Sequence, residues 1–168
     1  MRKQRLKLAL DQNFPVLILN AVALLPEVEI SPIHKIDPRL SDLDDRKLLI
    51  ALHQLGWQGL IINNYKMLRV PVEIAAIVKT KLVVFAVEGI GDDPLRATGA
   101  VLLHLPSVAK QIQTGKAQVF RINPRAPQHE DAWEFFRMAA ERRKKTPAAL
   151  YNEVKVTDDE LADPVLDG

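Results

Sequence analysis

Short apolar runs alternate with longer stretches of helical period along the chain. Residues 6–10 (LKLAL) have strand length and end at Asp11. Residues 14–25 predict a helix, with Asn13 as its N-cap and Pro15 tolerated in the first turn. Residues 27–30 predict a second strand, and residues 31–40, which carry Pro32 and Pro38, a loop. Ser41 is the expected cap of a helix over residues 42–55, with Asp44 in a capping-box role. Leu48, Leu49, Leu52 and Leu55 form its apolar stripe, and Gly56 ends it. Residues 59–63 predict a third strand, 71–79 a helix, and 82–87 a fourth strand of near-continuous apolar character. Such a run suits a parallel strand buried on both faces. Residues 95–113 predict a helix interrupted at Pro106, residues 118–122 a fifth strand, and residues 130–145 a last helix.

This alternation predicts an α/β domain: an open, mainly parallel sheet with helices on both faces, in a Rossmann-like three-layer arrangement. The domain is expected over residues 1–150, its last part (about 115–150) an added strand and helix, with an acidic, weakly ordered tail over 151–168. Ligands of such sheets bind outside the carboxyl ends of the strands, near the switch point. That rule singles out Asp11, Asn63, Asn64 and Glu88.

Composition narrows the picture. A chain of 168 residues, 48% hydrophobic and 26% charged, can bury a real core and is neither disordered nor fibrous. The absence of cysteine excludes a disulfide scaffold, a thiolate zinc site and a cysteine nucleophile, and fits a reducing compartment. Arg2, Lys3, Arg5 and Lys7 precede an apolar stretch that Asp11, Asn13 and Pro15 break. A signal-peptide core needs about 7–15 unbroken apolar residues and a membrane span about 20, so the expectation is a soluble, cytoplasmic protein with no membrane partner.

Net charge is +2 but segregated. Arg137, Arg142, Arg143, Lys144 and Lys145 face one acid, Glu141, whereas the final stretch carries Glu153, Asp158, Asp159, Glu160, Asp163 and Asp167 against Lys155. The basic segment is either a phosphate-binding patch or a solvated helix face. Trp133, Phe136 and Met138 share the opposite side and read as core or dimer contact. No GxGxxG follows the first strand, and there is no GxxxxGK[ST] loop or GxSxG elbow. His34, His53, His104 and His129 lack zinc-ligand spacing.

Leu10-Asp11-Gln12-Asn13-Phe14-Pro15 resembles the LDxNxP opening of PIN-like nucleases, the family that includes ribonuclease toxins of bacterial toxin–antitoxin pairs. The family's second acid opens a helix about eleven residues before a glycine. Asp45 lies eleven before Gly56, with Asp42 and Asp44 as neighbours. The family's V-L-T-x-D strand end corresponds to Leu60-Ile61-Ile62-Asn63-Asn64, followed by Lys66, Arg69 and Pro71. Leu82–Val87 matches its fourth strand, so the resemblance covers roughly residues 6–90.

The resemblance implies a Mg²⁺- or Mn²⁺-dependent endoribonuclease, a toxin-type component with an antitoxin-like protein partner and a homodimeric state. Asp11, Asp45 and Asn64 would be the catalytic and metal-binding set. Asn64 stands where the family has Asp, so Glu88 or one of Asp92 and Asp93 would supply the missing charge. Asp92-Asp93-Pro94 reads first as a helix N-terminus. RNA would be held by Lys66, Arg69, Arg142, Arg143, Lys144 and Lys145. Phosphodiester hydrolysis needs charge neutralised on the phosphate and an activated water, which a hard cation on carboxylates provides. The alternatives are a catalytically inactive PIN-like binding module and another doubly wound domain whose Asp11 is structural.

Overall fold

The computed structural model describes residues 5–22, 25–63, 65–89, 93–113, 115–122 and 128–166. Its centre is a six-stranded sheet. β1 (Leu6–Leu10), β2 (Val28–Pro32), β3 (Gly59–Ile62), β4 (Val83–Val87) and β5 (Gln118–Ile122) run parallel in the order β2-β1-β3-β4-β5. β6 (Gln128–Asp131) closes the far edge antiparallel to β5. β3 and β4 are buried at every residue, which their unbroken apolar sequence requires. At Gly59 a Cβ would come within 2.5 Å of the Val83 carbonyl oxygen and 2.8 Å of Leu8, so only glycine lets β3 start between its neighbours.

Helices cover both faces, giving the expected three-layer α/β fold. On one face α2 (Ile33–Ile36), α3 (Asp45–Gln54), α4 (Pro71–Thr80), α6 (Ala132–Arg142) and α7 (Pro147–Val154) bury Leu48, Leu52, Ile74, Ile77 and Phe136 against the sheet. On the other, α1 (Ile18–Val22) and α5 (Pro94–Ala109) pack Ile18, Val101 and Leu105 on Phe85 and Phe120. The Trp133 ring stacks on Phe136 at 5.3 Å and meets Tyr151 of α7 edge-on, so that aromatic side of α6 is core.

Several local expectations are corrected. The helix after β1 is shorter than 14–25: residues before Ile18 turn, Phe14 N–H bonding the Asp11 carbonyl at 2.9 Å. Residues expected as a loop after β2 form α2 and a 3-10 turn over Pro38–Asp42, capped by Asp37. The cap of α3 is Asp44, not Ser41. Its carboxylate accepts the Lys47 N–H at 2.8 Å, and Asp45 is the first helical residue. α5 runs through Pro106 to Ala109, because burial of Leu105 and Val108 outweighs the roughly 3 kcal/mol that an interior proline costs. The start of the expected last helix is instead β6, and α6 begins at Ala132 after the Asp131 cap.

The acidic segment is no loose tail. α7 is followed by α8 (Asp158–Ala162), and Leu150 and Val156 are buried in the core. Glu160 pairs with Arg46, Asp158 with Lys79, and Gln54 donates to the carbonyls of Leu161 and Asp163. Acids that look solvated in the sequence face cations from α3 and α4. Among the described residues no helix is long and apolar enough to cross a membrane.

Candidate functional site

The strand order places the switch point between β1 and β3, since the connections from these strands leave to opposite sides. Asp11 follows β1 there, its backbone N–H bonded to the Ile61 carbonyl of β3 at 3.0 Å. Its Oδ2 accepts the Asn13 N–H at 3.4 Å. This is a local turn contact, not a helix cap, because α1 starts only at Ile18. Burial pushes the Asp11 carboxyl above its ordinary value; the N–H groups of Asn13 and Gln12 oppose that, and the charge of Asp45 adds to it.

Asp45 is delivered by the start of α3. Partial desolvation raises its carboxyl, and the neighbouring charge of Asp44 raises it further. Asp44 is occupied by the cap and stands 3.7 Å from the Lys47 ammonium.

The third acid is one the sequence reading missed. Glu73 lies in the first turn of α4, behind Pro71. Its Oε2 is buried with no hydrogen-bond partner. Burial first, then the charges of Asp45 and Asp44, push its carboxyl from 4.5 up to about 7. A helix N-terminus favours a carboxylate by only about 0.3–1 kcal/mol, well under half a shift of that size. Desolvation and like charge therefore win. The available signal was an acid two residues after a helix-opening proline, which is also where ordinary helices place one to complement their dipole.

The charge of Asp45 thus acts on Asp11 on one side and on Glu73 on the other, and no salt bridge to any of the three is present among the described residues. Carboxylates gathered in this way suit a hard cation. As they lie, no three acid or histidine side chains among the described residues are grouped to hold an ion. Mg²⁺ keeps several waters and takes only one or two carboxylates directly, so two of these acids, with water completing the shell, are the donors the chain could offer it.

Asn64 lies outside the described residues, as does Asp92. Asp93 caps α5 through the Arg96 N–H at 3.0 Å. Glu88 is turned to Arg121, whose Nη2 reaches its two oxygens at 3.1 and 2.9 Å. The Glu88 carboxylate is thus engaged by a guanidinium, which sets it apart from the unpaired acids at β1, α3 and α4. Arg121 also lies 3.6 Å from Glu130 and over the Tyr65 ring at 5.0 Å.

Lys66 and Arg69 occupy a 3-10 turn (Lys66–Arg69) beyond β3, both exposed, with the Arg69 guanidinium over the Tyr65 ring at 5.5 Å. Arg142, Arg143, Lys144 and Lys145 are exposed at the end of α6. Arg143 donates to the Ala139 carbonyl, Lys145 pairs with Glu153 at 2.5 Å, and Arg137 is held by Glu134 and Glu141. The described contacts do not join this segment to the three acids. Neither a protein-family model, nor a curated protein, nor a solved structure matches this chain.

Proposed function

We propose that this chain is a PIN-like, divalent-cation-dependent ribonuclease whose cation-binding set is Asp11, Asp45 and Glu73. The observation that carries the reading is the buried, unpartnered Glu73 oxygen under the charges of Asp45 and Asp44, with Asp45 also acting on Asp11 at the switch point of the sheet. Uncompensated like charges destabilise a fold, so a site that keeps them is best explained by a cation that neutralises them. A bound Mg²⁺ or Mn²⁺ would supply positive charge at the scissile phosphate and a water activated near neutral pH.

The chain's own groups would do the rest. Asp11 is fixed by its backbone bond to β3 and holds one side of the site. Asp45 and Glu73 come from two helix starts and close the other. Glu73, titrating near neutrality, can hold a proton at its carboxyl oxygen in the resting state and release it when positive charge arrives. Lys66 and Arg69, just past β3, would bind the phosphates of a single strand without reading sequence. A homodimer and an antitoxin-like protein partner belong to the same proposal.

A second reading, a PIN-like module that binds RNA without cleaving it, is favoured by the absence, among the described residues, of three acids grouped to hold an ion and by Asn64 at the family's third acidic position. Mn²⁺-dependent cleavage of a fluorescent single-stranded RNA by the wild type, absent in Asp11→Asn, separates the two. RNA binding that is indifferent to Mn²⁺, with no cleavage, selects the second.

A further inference from the structure

Arg46 follows Asp45 in the chain, and its guanidinium is saturated. Nε and Nη2 fork onto Glu160 of α8 at 3.0 and 2.9 Å. Nη1 donates to the carbonyls of Val72 and Val154, both at 2.9 Å, and Nη2 also reaches the Lys155 carbonyl at 3.4 Å. The Val72 carbonyl belongs to the peptide that leads into Glu73, while the backbone of Arg46 follows directly from Asp45. One rigid planar group therefore ties the peptide beside Asp45 to the peptide beside Glu73. The other end of that tie is the C-terminal segment.

The segment is held by other contacts as well. Leu150 and Val156 are buried, Gln54 bonds Leu161, Asp163 and Val165, and Lys79 pairs with Asp158. The guanidinium that forks onto Glu160 also lands on the peptide before Glu73, so one group links α8 to the starts of α3 and α4.

We infer that Arg46 and Glu160 form a positioning pair through which the C-terminal segment sets the spacing of Asp45 and Glu73, and with it the cation affinity of the site. This rests on the proposed cation site. Groups that orient metal-binding carboxylates typically change affinity about 10–100-fold when lost.

The test uses the full chain, Mn²⁺ alone as probe, and two variants. Glu160→Gln keeps the shape but removes the forked charge; Gln54→Ala loosens the same segment without touching Arg46. By calorimetry, Glu160→Gln should bind Mn²⁺ at least about 10-fold more weakly, whereas Gln54→Ala binds like the wild type, with the two variants melting close together. Glu160→Asp, which keeps the charge on a shorter arm, should fall between. Equal affinities in Glu160→Gln and wild type, or equal losses in Glu160→Gln and Gln54→Ala, overturn the inference. If the wild type binds no Mn²⁺, the cation site falls, and the backbone amide resonances of Asp45 and Glu73 in the cation-free protein still decide about the tie. Both should move in Glu160→Gln and stay in Gln54→Ala; unmoved resonances in Glu160→Gln refute it.

Discussion

Replacing Glu73 by Gln removes one charge from the acid cluster at almost constant shape, and its effect should depend on pH in a defined direction. The native carboxyl titrates at about 7 against 4.5 for the free side chain, so the folded state holds the proton more tightly than the unfolded one. Stability from this group is then full below pH 4.5, falls between 4.5 and about 7, and stays low above that. A shift of that size corresponds to a few kcal/mol; water still reaches the group, so the net effect is on the order of 1–2 kcal/mol. A glutamine in its place cannot ionise and escapes the penalty. The variant's amide brings its own desolvation cost, but that cost is the same at every pH and cancels in the comparison.

In EDTA, Glu73→Gln should therefore gain about 1–2 kcal/mol on the wild type between pH 4.5 and pH 8, roughly 3–6 °C in melting temperature for a chain of this length. Urea unfolding at the two pH values measures it. A difference between variant and wild type that is the same at both pH values would refute the claim that Glu73 faces Asp45 and Asp44 uncompensated.

Other expectations follow from single residues. Asp11→Asn should abolish stabilisation by Mn²⁺ while leaving the cation-free melting temperature equal or higher; a loss of about 0.5–2 kcal/mol without a Mn²⁺ phenotype would make Asp11 a structural turn residue. Gly59→Ala should cost more than about 2 kcal/mol in urea unfolding, because the added methyl meets the Val83 carbonyl inside the sheet. Replacing Lys66 and Arg69 by Gln should flatten the log–log salt dependence of single-stranded RNA binding by about 1.4, whereas the same change at Arg142, Arg143, Lys144 and Lys145 should leave it near the wild-type slope. Asn64→Asp should tighten Mn²⁺ binding and lower cation-free stability; a variant unchanged in both assays would remove Asn64 from the site.

Where burial dictated residue type, the fold was legible. The unbroken apolar runs of β3 and β4 suit central parallel strands, and the alternation of strand-length and helical segments points to three layers. β6 was hidden because its sequence, Gln-His-Glu-Asp, has no apolar alternation: an edge strand needs only backbone bonds to β5. The cap of α3 was placed too early because Ser41 and Asp44 are both good caps, and only the 3-10 turn over Pro38–Asp42 shows which one is free to act. The C-terminal helices were hidden by charge. Asp158 stays open to solvent and Glu160 partly so, and only the fold shows that Lys79 and Arg46 lie opposite them.

The candidate site was legible in part. The strand end singles out Asp11 and the family resemblance points to Asp45, whereas Glu73 becomes informative only when α3 and α4 lie side by side. Glu88 looked available as a strand-end acid, and its engagement by Arg121 depends on the register of β4 against β5, which pairs Val87 with Ile122.

The most direct test of the cation site is calorimetric titration of the cation-free protein with Mn²⁺ at about pH 6.5, just below the Glu73 titration, repeated in two buffers of different ionisation enthalpy. Because Glu73 is largely protonated at that pH, binding should release a substantial fraction of a proton, visible as a buffer-dependent heat, and the release should vanish in Glu73→Gln. Absence of any Mn²⁺ heat, or binding whose proton release is the same in wild type and Glu73→Gln, would contradict the account.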